Sequence, residues 1–232
     1  MARAYLSGDP LPVEALRREI EQEPPGVIIS RAPAPNGLII VEEFMPPAMC
    51  ARIAAAATEA GATPAGIIAE GGVTMSETRR TEHLPAAKID PALRDAVRVA
   101  YQNYVCGHFR QALAWFEDPV ILRYGAGGEY LPHADAYNWS PEEKAWRRVV
   151  DRDFSLLIYL NDDFDGGALE FKYLDYTVKP RTGLLVAFPS DWRYAHAAHP
   201  VKKGRKLSVV SFAAAAGAPR VLPAPPPHAI RF

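Results

Sequence analysis

Cysteine is scarce: the 232-residue chain has two, Cys50 and Cys106. Two cysteines make no multi-bridge framework and no zinc-type spacing. Both are expected to be ordinary thiols in a reducing, cytoplasmic setting. Net charge is also scarce, at −1. That leaves no global electrostatic footprint for nucleic acid or an anionic membrane, and neither is expected as a partner. No apolar run reaches the roughly 18 residues that span a bilayer. The start, Met1-Ala2-Arg3-Ala4-Tyr5-Leu6, lacks the continuous apolar core of a signal peptide. What the chain does have is a 49% hydrophobic content, ample for the core of one large domain, and 22 prolines.

The prolines and glycines punctuate the chain. A short helix is expected over Val13 to Glu23, ended by Pro24-Pro25-Gly26. Pro46-Pro47 starts an alanine-rich helix that runs through Ala60 and stops at Gly61. Apolar residues from Leu93 to Phe109 approximate helical spacing, so a second long helix is expected over Pro91 to Ala114, ended by Trp115 and Phe116. From Val120 onward the pattern becomes strand, turn, strand, with turns at Gly127-Gly128 and Gly166-Gly167. Tyr137 to Asp153 interrupts the array. Ser140-Pro141 there resembles a helix start, with Ser140 as N-cap. The fold expected is mainly β with flanking helices, a sandwich or barrel.

His133 and Asp135 are separated by Ala134 alone, and His196 follows 61 positions after Asp135. On an extended segment alternate side chains share a face, so His133 and Asp135 would point together at one ion. Two histidines and one carboxylate form the facial triad that holds non-heme Fe(II) with open positions left over. Ten positions after His196 stands Lys206, at the start of a strand that follows a Lys-Gly turn. A cation there could pair with a dicarboxylate whose other end chelates iron. Equally, Lys202, Lys203, Arg205 and Lys206 could form a solvated turn.

Leu122-Arg123-Tyr124 through His133-Ala134-Asp135 resembles the first metal motif of the prolyl 4-hydroxylase-like 2-oxoglutarate/Fe(II) dioxygenases. Ser155 to Asn161, Phe164 to Phe171, Val178 to Gly183 and Ala187-Phe188-Pro189 resemble the family's later strands. His196-Ala197-Ala198-His199-Pro200-Val201 resembles its second-histidine motif, and Gly37 to Phe44 its entry. The resemblance covers roughly residues 37 to 215 in order. It implies a double-stranded β-helix, or jelly roll, with an N-terminal extension over 1–36 packing on the core. The dioxygenase domain would span 37–215, with a Pro-rich tail over 216–232.

The resemblance also implies His133, Asp135 and His196 as iron ligands, with His199 as the rejected rival. Lys206 is implied as the cosubstrate cation, with Arg205 as its rival, and Tyr124 as a second cosubstrate contact. Fe(II), 2-oxoglutarate and O2 follow as the cofactor set, with ascorbate as an optional addition. The implied reaction hydroxylates an unactivated C–H bond and releases succinate and CO2. A prolyl peptide or amino acid is the expected substrate. The alternatives are a non-amino-acid metabolite, or a non-catalytic metal-binding jelly roll that docks a partner. Tyr137, Trp139 and Arg193 are candidate substrate contacts. Arg79, Arg80 and Glu82 are further candidates, and Tyr137 to Asp153 is expected over the mouth.

Overall fold

Strands buried on both faces organise the core. In Ile39–Glu42 the side chains of Ile39 and Val41 enter one apolar cluster, while Ile40, with Leu38 just before the strand, enters another. Leu185–Pro189 repeats the pattern: Leu185 and Ala187 face one way, Val186 and Phe188 the other. This is the period-2 alternation of an extended chain, carried on a sheet covered on both sides. The computed structural model describes residues 3–5, 37–69, 72–74 and 79–232. The expected helix over Val13 to Glu23 lies outside the described residues. So does the extension over 1–36, save a backbone pairing of Arg3–Tyr5 with Ile39–Glu42.

The major sheet has ten strands. At its centre Phe154–Tyr159 lies antiparallel between Leu185–Pro189 and Lys206–Ala215. Val120–Tyr124 and Glu82–Pro85 extend the sheet beyond Lys206–Ala215. A minor sheet of four strands runs in the order Tyr176–Val178, Leu169–Phe171, His196–Ala198, Tyr130–His133. Antiparallel strands in two layers, closed by a core of Tyr159, Phe171, Tyr176, Val186 and Phe188, make the double-stranded β-helix.

Helices cover the other face of the major sheet. Pro47–Glu59 buries Cys50, Ile53 and Ala57, one stripe at helical spacing. Each fully buried aliphatic side chain there is worth roughly 1.5–3 kcal/mol. The second helix is shorter than expected. Ala92–Ala100 continues through a π turn at Tyr101–Val105 and ends at Phe109, where Arg110 takes φ 51°. Trp115 and Phe116 are not its anchors; they belong to the strand Leu113–Glu117, which pairs with the end of Lys206–Ala215. Buried alternation and the available sheet edge override the apolar count there.

Tyr137 to Asp153 also departs from expectation. It is a β-hairpin, Tyr137–Ser140 against Ala145–Arg148, not a helix. Trp139 and Trp146 sit opposite each other with ring centroids 5.8 Å apart, edge to face. Ser140 Oγ accepts the N–H of Glu143 at 3.3 Å, so the side chain expected to cap a helix closes the turn instead. A cross-strand aromatic pair stabilises a hairpin by roughly 0.2–1 kcal/mol, which decides a short segment with little helical periodicity. Among the described residues no helix is long and apolar enough to cross a membrane.

Candidate active site

The two sheets bring His133, Asp135 and His196 together. His133 ends its strand and His196 begins the neighbouring one, and the two are register partners. One ligand atom from each of the three lies within 4.8 Å of the others. His133 Nε2 is 3.6 Å from Asp135 Oδ1, and His196 Nε2 is 3.7 Å from Asp135 Oδ2. Each imidazole is fixed from behind. His133 Nδ1 lies 2.8 Å from the Leu131 carbonyl and His196 Nδ1 lies 3.0 Å from the Tyr194 carbonyl. An Nδ1–H donated to a carbonyl leaves Nε2 with its lone pair free for a metal. Burial pushes the His196 pKa down to about 4, which keeps it neutral.

Asp135 is held as firmly. The Ser155 hydroxyl donates to Asp135 Oδ2 at 2.6 Å, and Ser190 Oγ lies 2.7 Å behind Ser155 Oγ. Arg152 Nη1 donates to the Asp135 carbonyl at 3.4 Å. Burial opposes ionisation of Asp135. The two histidines and the Ser155 hydroxyl outweigh that and hold it well below the usual carboxylate range. Aromatic rings wall the cluster: Tyr130 stacks on His133 with centroids 3.4 Å apart, and Phe188 meets His196 edge-on at 5.0 Å. Two imidazoles and one carboxylate, converging and restrained from behind, fit a divalent iron with positions left open.

The three groups open into a cavity of about 880 Å³, whose lining includes Tyr124, Tyr159, Lys206 and Ser208. Lys206 is 2% exposed. Its Nζ donates to the Gly167 carbonyl at 2.9 Å and lies 4.1 Å from the Tyr124 ring centroid. Gly167, at φ 67°, must be small, since a Cβ there would press the Phe164 ring at 2.9 Å and Lys206 Cδ at 3.2 Å. Burial pushes the Lys206 pKa down to about 7. Arg205, one residue earlier, is exposed, as strand alternation requires. Tyr159 and Ser208, register partners across the central strands, escaped the sequence reading. The available signal was polar residues at inward positions of otherwise apolar strands.

The substrate candidates fall on both sides of the cavity wall. Arg79 lines it, with its guanidinium 4.7 Å from the Tyr130 ring centroid. Arg80 pairs instead with Glu129, and Glu82 with Arg123 at 2.7 Å. From the hairpin, Asn138 lines the cavity, whereas Tyr137 and Trp139 are not among its lining residues. Trp139 is 51% exposed. Arg193 is taken up by Asp191, with Nη2 to Oδ2 at 2.7 Å, and is not among the lining residues either. His199 stands at the surface, 2.7 Å from Glu170. The residues that do line the far side include Glu117, Arg152 and His228. Arg152 reaches both Glu117 oxygens, at 2.5 and 2.8 Å, and His228 Nε2 lies 3.3 Å from Glu117 Oε2. Burial opposes ionisation of Glu117, but Arg152 prevails and brings its pKa to about 2.

The model of the 2OG-Fe(II) oxygenase superfamily matches residues 119–214. Prolyl 3-hydroxylase 2 of Mus musculus is 34% identical over 86 residues, which cover 33% of this chain and 12% of that protein. Prolyl 3-hydroxylase 3 of Mus musculus is 38% identical over 142 residues, covering 54% of this chain and 19% of that protein. The matched part is thus under a fifth of either relative's length. In fold, the chain is similar to the viral collagen prolyl hydroxylase of Paramecium Bursaria Chlorella virus-1, solved as a 2OG complex. That likeness has a TM-score of 0.58 at 19% identity and covers 77% of this chain and 97% of that one. Over residues 119–214 the chain matches the 2OG-Fe(II) oxygenase superfamily, and its fold is similar to that of a solved prolyl hydroxylase.

Proposed function

We propose that this protein is a 2-oxoglutarate- and Fe(II)-dependent dioxygenase that hydroxylates a C–H bond of a prolyl peptide, releasing succinate and CO2. The carrying observation is a buried lysine in the same cavity as a converging His-Asp-His set. His133, Asp135 and His196 would hold the iron, which with 2-oxoglutarate and O2 supplies the oxidising power to convert C–H to C–OH. The chain's own contribution is placement. Lys206 Nζ, with the Tyr124 ring centroid 4.1 Å away, would receive one carboxylate of 2-oxoglutarate and so set which end is left for the metal. Ser155 and Ser190 keep one oxygen of Asp135 engaged. Leu157, Leu169 and Ala198 add apolar surface to the same cavity, which would keep water from a bound cosubstrate.

The prolyl preference rests on the relatives, and the size of the cavity suits it. About 880 Å³ is near the top of the range for a small-molecule site, so cosubstrate and a peptide segment fit together. Free thiols at Cys50 and Cys106 suit a reducing cytoplasm, where ascorbate could serve as auxiliary reductant. The test is succinate release with Fe(II), 2-oxoglutarate and pools of prolyl peptides, amino acids or cell metabolites. Stimulation by prolyl peptides, with one oxygen added per succinate, is the expected result. Stimulation by metabolites alone would keep the dioxygenase and discard the prolyl substrate. No stimulation by any pool, with iron and 2-oxoglutarate bound, would leave a metal-binding partner module.

A further inference from the structure

The C-terminal segment crosses the active-site cavity and is fastened on both sides of it. Leu222, Pro226 and His228 line the same cavity as His133, Asp135 and His196. Upstream of the crossing, the buried carboxylate of Asp151 accepts the backbone N–H groups of Val221 at 2.8 Å and Leu222 at 3.2 Å. Arg220 Nη2 donates to the Ala215 carbonyl at 2.5 Å. Downstream, His228 meets the Glu117 carboxylate, and the Asp118 N–H donates to the His228 carbonyl at 3.0 Å. Ala229–Arg231 then adds a strand to Leu113–Glu117, and the Phe232 ring lies 5.2 Å from that of Phe116.

Between the fastenings runs Pro223-Ala224-Pro225-Pro226-Pro227. Proline has no N–H and a fixed φ, so this stretch cannot extend a sheet and loses little entropy when held extended. A span made stiff by composition and clamped by two buried carboxylates is built to stay in place. That distinguishes it from a mobile flap. Trp115 and Pro119 line the cavity beside it, and the carboxylates between them are engaged: Glu117 by Arg152 and His228, Asp118 by Arg94.

We infer that the segment from Arg220 to His228 is a fixed wall of the substrate cleft and selects the residues that flank the target proline. Leu222 and Pro226 are the contacting side chains, and they favour an apolar neighbour. Asp151, Glu117 and His228 are positioning residues that hold the wall. The inference rests on the prolyl hydroxylase function proposed above and deepens it.

The experiment uses the full chain and an equimolar pool of synthetic decapeptides with a central proline and randomised flanks. Hydroxylated products are sequenced by mass spectrometry, and Mn(II) affinity is measured in parallel. Leu222 is 37% exposed, so Leu222→Asp should leave the fold intact, checked by thermal unfolding. Wild type should enrich apolar flanking residues. Leu222→Asp should lower kcat/KM for those peptides by about tenfold, the size of one lost apolar contact, and shift the enriched set toward basic flanks. Asp151→Ala, which frees the upstream clamp, should broaden the selection. Mn(II) affinity, read by calorimetry, should match wild type in both variants, which separates a change in the wall from loss of the metal site. An identical enriched set and efficiency in wild type and both variants would overturn the wall while leaving the hydroxylase intact. No peptide hydroxylation by wild type would instead refute the prolyl substrate, and the wall's peptide selectivity with it.

Discussion

His133 and His196 face each other across neighbouring strands with ring centroids 4.5 Å apart, and each ring is held by the carbonyl two residues before it. The same local device, used twice, turns both Nε2 atoms toward Asp135. His196→Ala should therefore abolish divalent-metal binding, read with Mn(II) by calorimetry. His199→Ala should leave it intact, because His199 pairs with Glu170 at the surface. The reverse outcome would overturn the ligand set.

Ser155 offers a finer test. Its hydroxyl donates to Asp135 Oδ2 at 2.6 Å. Losing a hydrogen bond that orients a metal ligand costs about 10–100-fold in metal affinity. Ser155→Ala should fall in that range, with near-native thermal stability. Unchanged Mn(II) affinity would mean that Asp135 is oriented by its backbone and by Arg152 alone.

Lys206→Ala should raise the 2-oxoglutarate requirement by an amount equivalent to roughly 2–5 kcal/mol, with metal binding retained, since the distal carboxylate would lose its cation. Arg205→Ala should have no such effect. The pH dependence has a definite sign. With its pKa at about 7 in the free pocket, Lys206 loses its charge as pH rises through that value. Affinity for 2-oxoglutarate should fall above about pH 7 and level off below it. A profile flat from pH 6 to 9 in wild type would contradict this. The same depression means that the unfolded chain binds more protons than the native one above about pH 7. Stability of the cosubstrate-free protein should rise with pH over that window through this group.

Glu117 neutralises Arg152 beneath the cavity, and both groups are buried. Removing one partner of such a pair leaves an uncompensated charge, at a cost of roughly 3–5 kcal/mol. Glu117→Ala should lose stability on that scale in urea unfolding. Glu117→Gln should lose less, because it keeps a hydrogen-bond acceptor. A loss under 1 kcal/mol for Glu117→Ala would show that water reaches Arg152 freely.

His133, Asp135, His196 and Lys206 were legible in the chain because their spacing is dictated by strands, and strand alternation is a rigid rule. The same rule separates Lys206 from Arg205. Less legible were elements decided by tertiary pairing. Leu113–Glu117 has helical neighbours upstream and becomes a strand because Ala213 and Ala214 present an edge to it. Ser140-Pro141 carries the chemistry of a helix start, yet Trp139 against Trp146 closes a hairpin. Glu117, Arg152 and His228 are 35 and 76 positions apart in turn, so no local pattern announces that they meet. His228 lies in the Pro-rich tail, far in sequence from the metal motifs, and it lines the cavity.

The central claim is that one cavity binds Fe(II) through the His-Asp-His set and 2-oxoglutarate through both that iron and Lys206. Anaerobic addition of Fe(II) and 2-oxoglutarate to the purified protein, followed by visible absorption, tests it most directly. A weak charge-transfer band should develop that needs both additions. It should vanish in His196→Ala and require far more 2-oxoglutarate in Lys206→Ala. A wild-type protein that binds Fe(II) yet shows no such band at saturating 2-oxoglutarate would contradict the account.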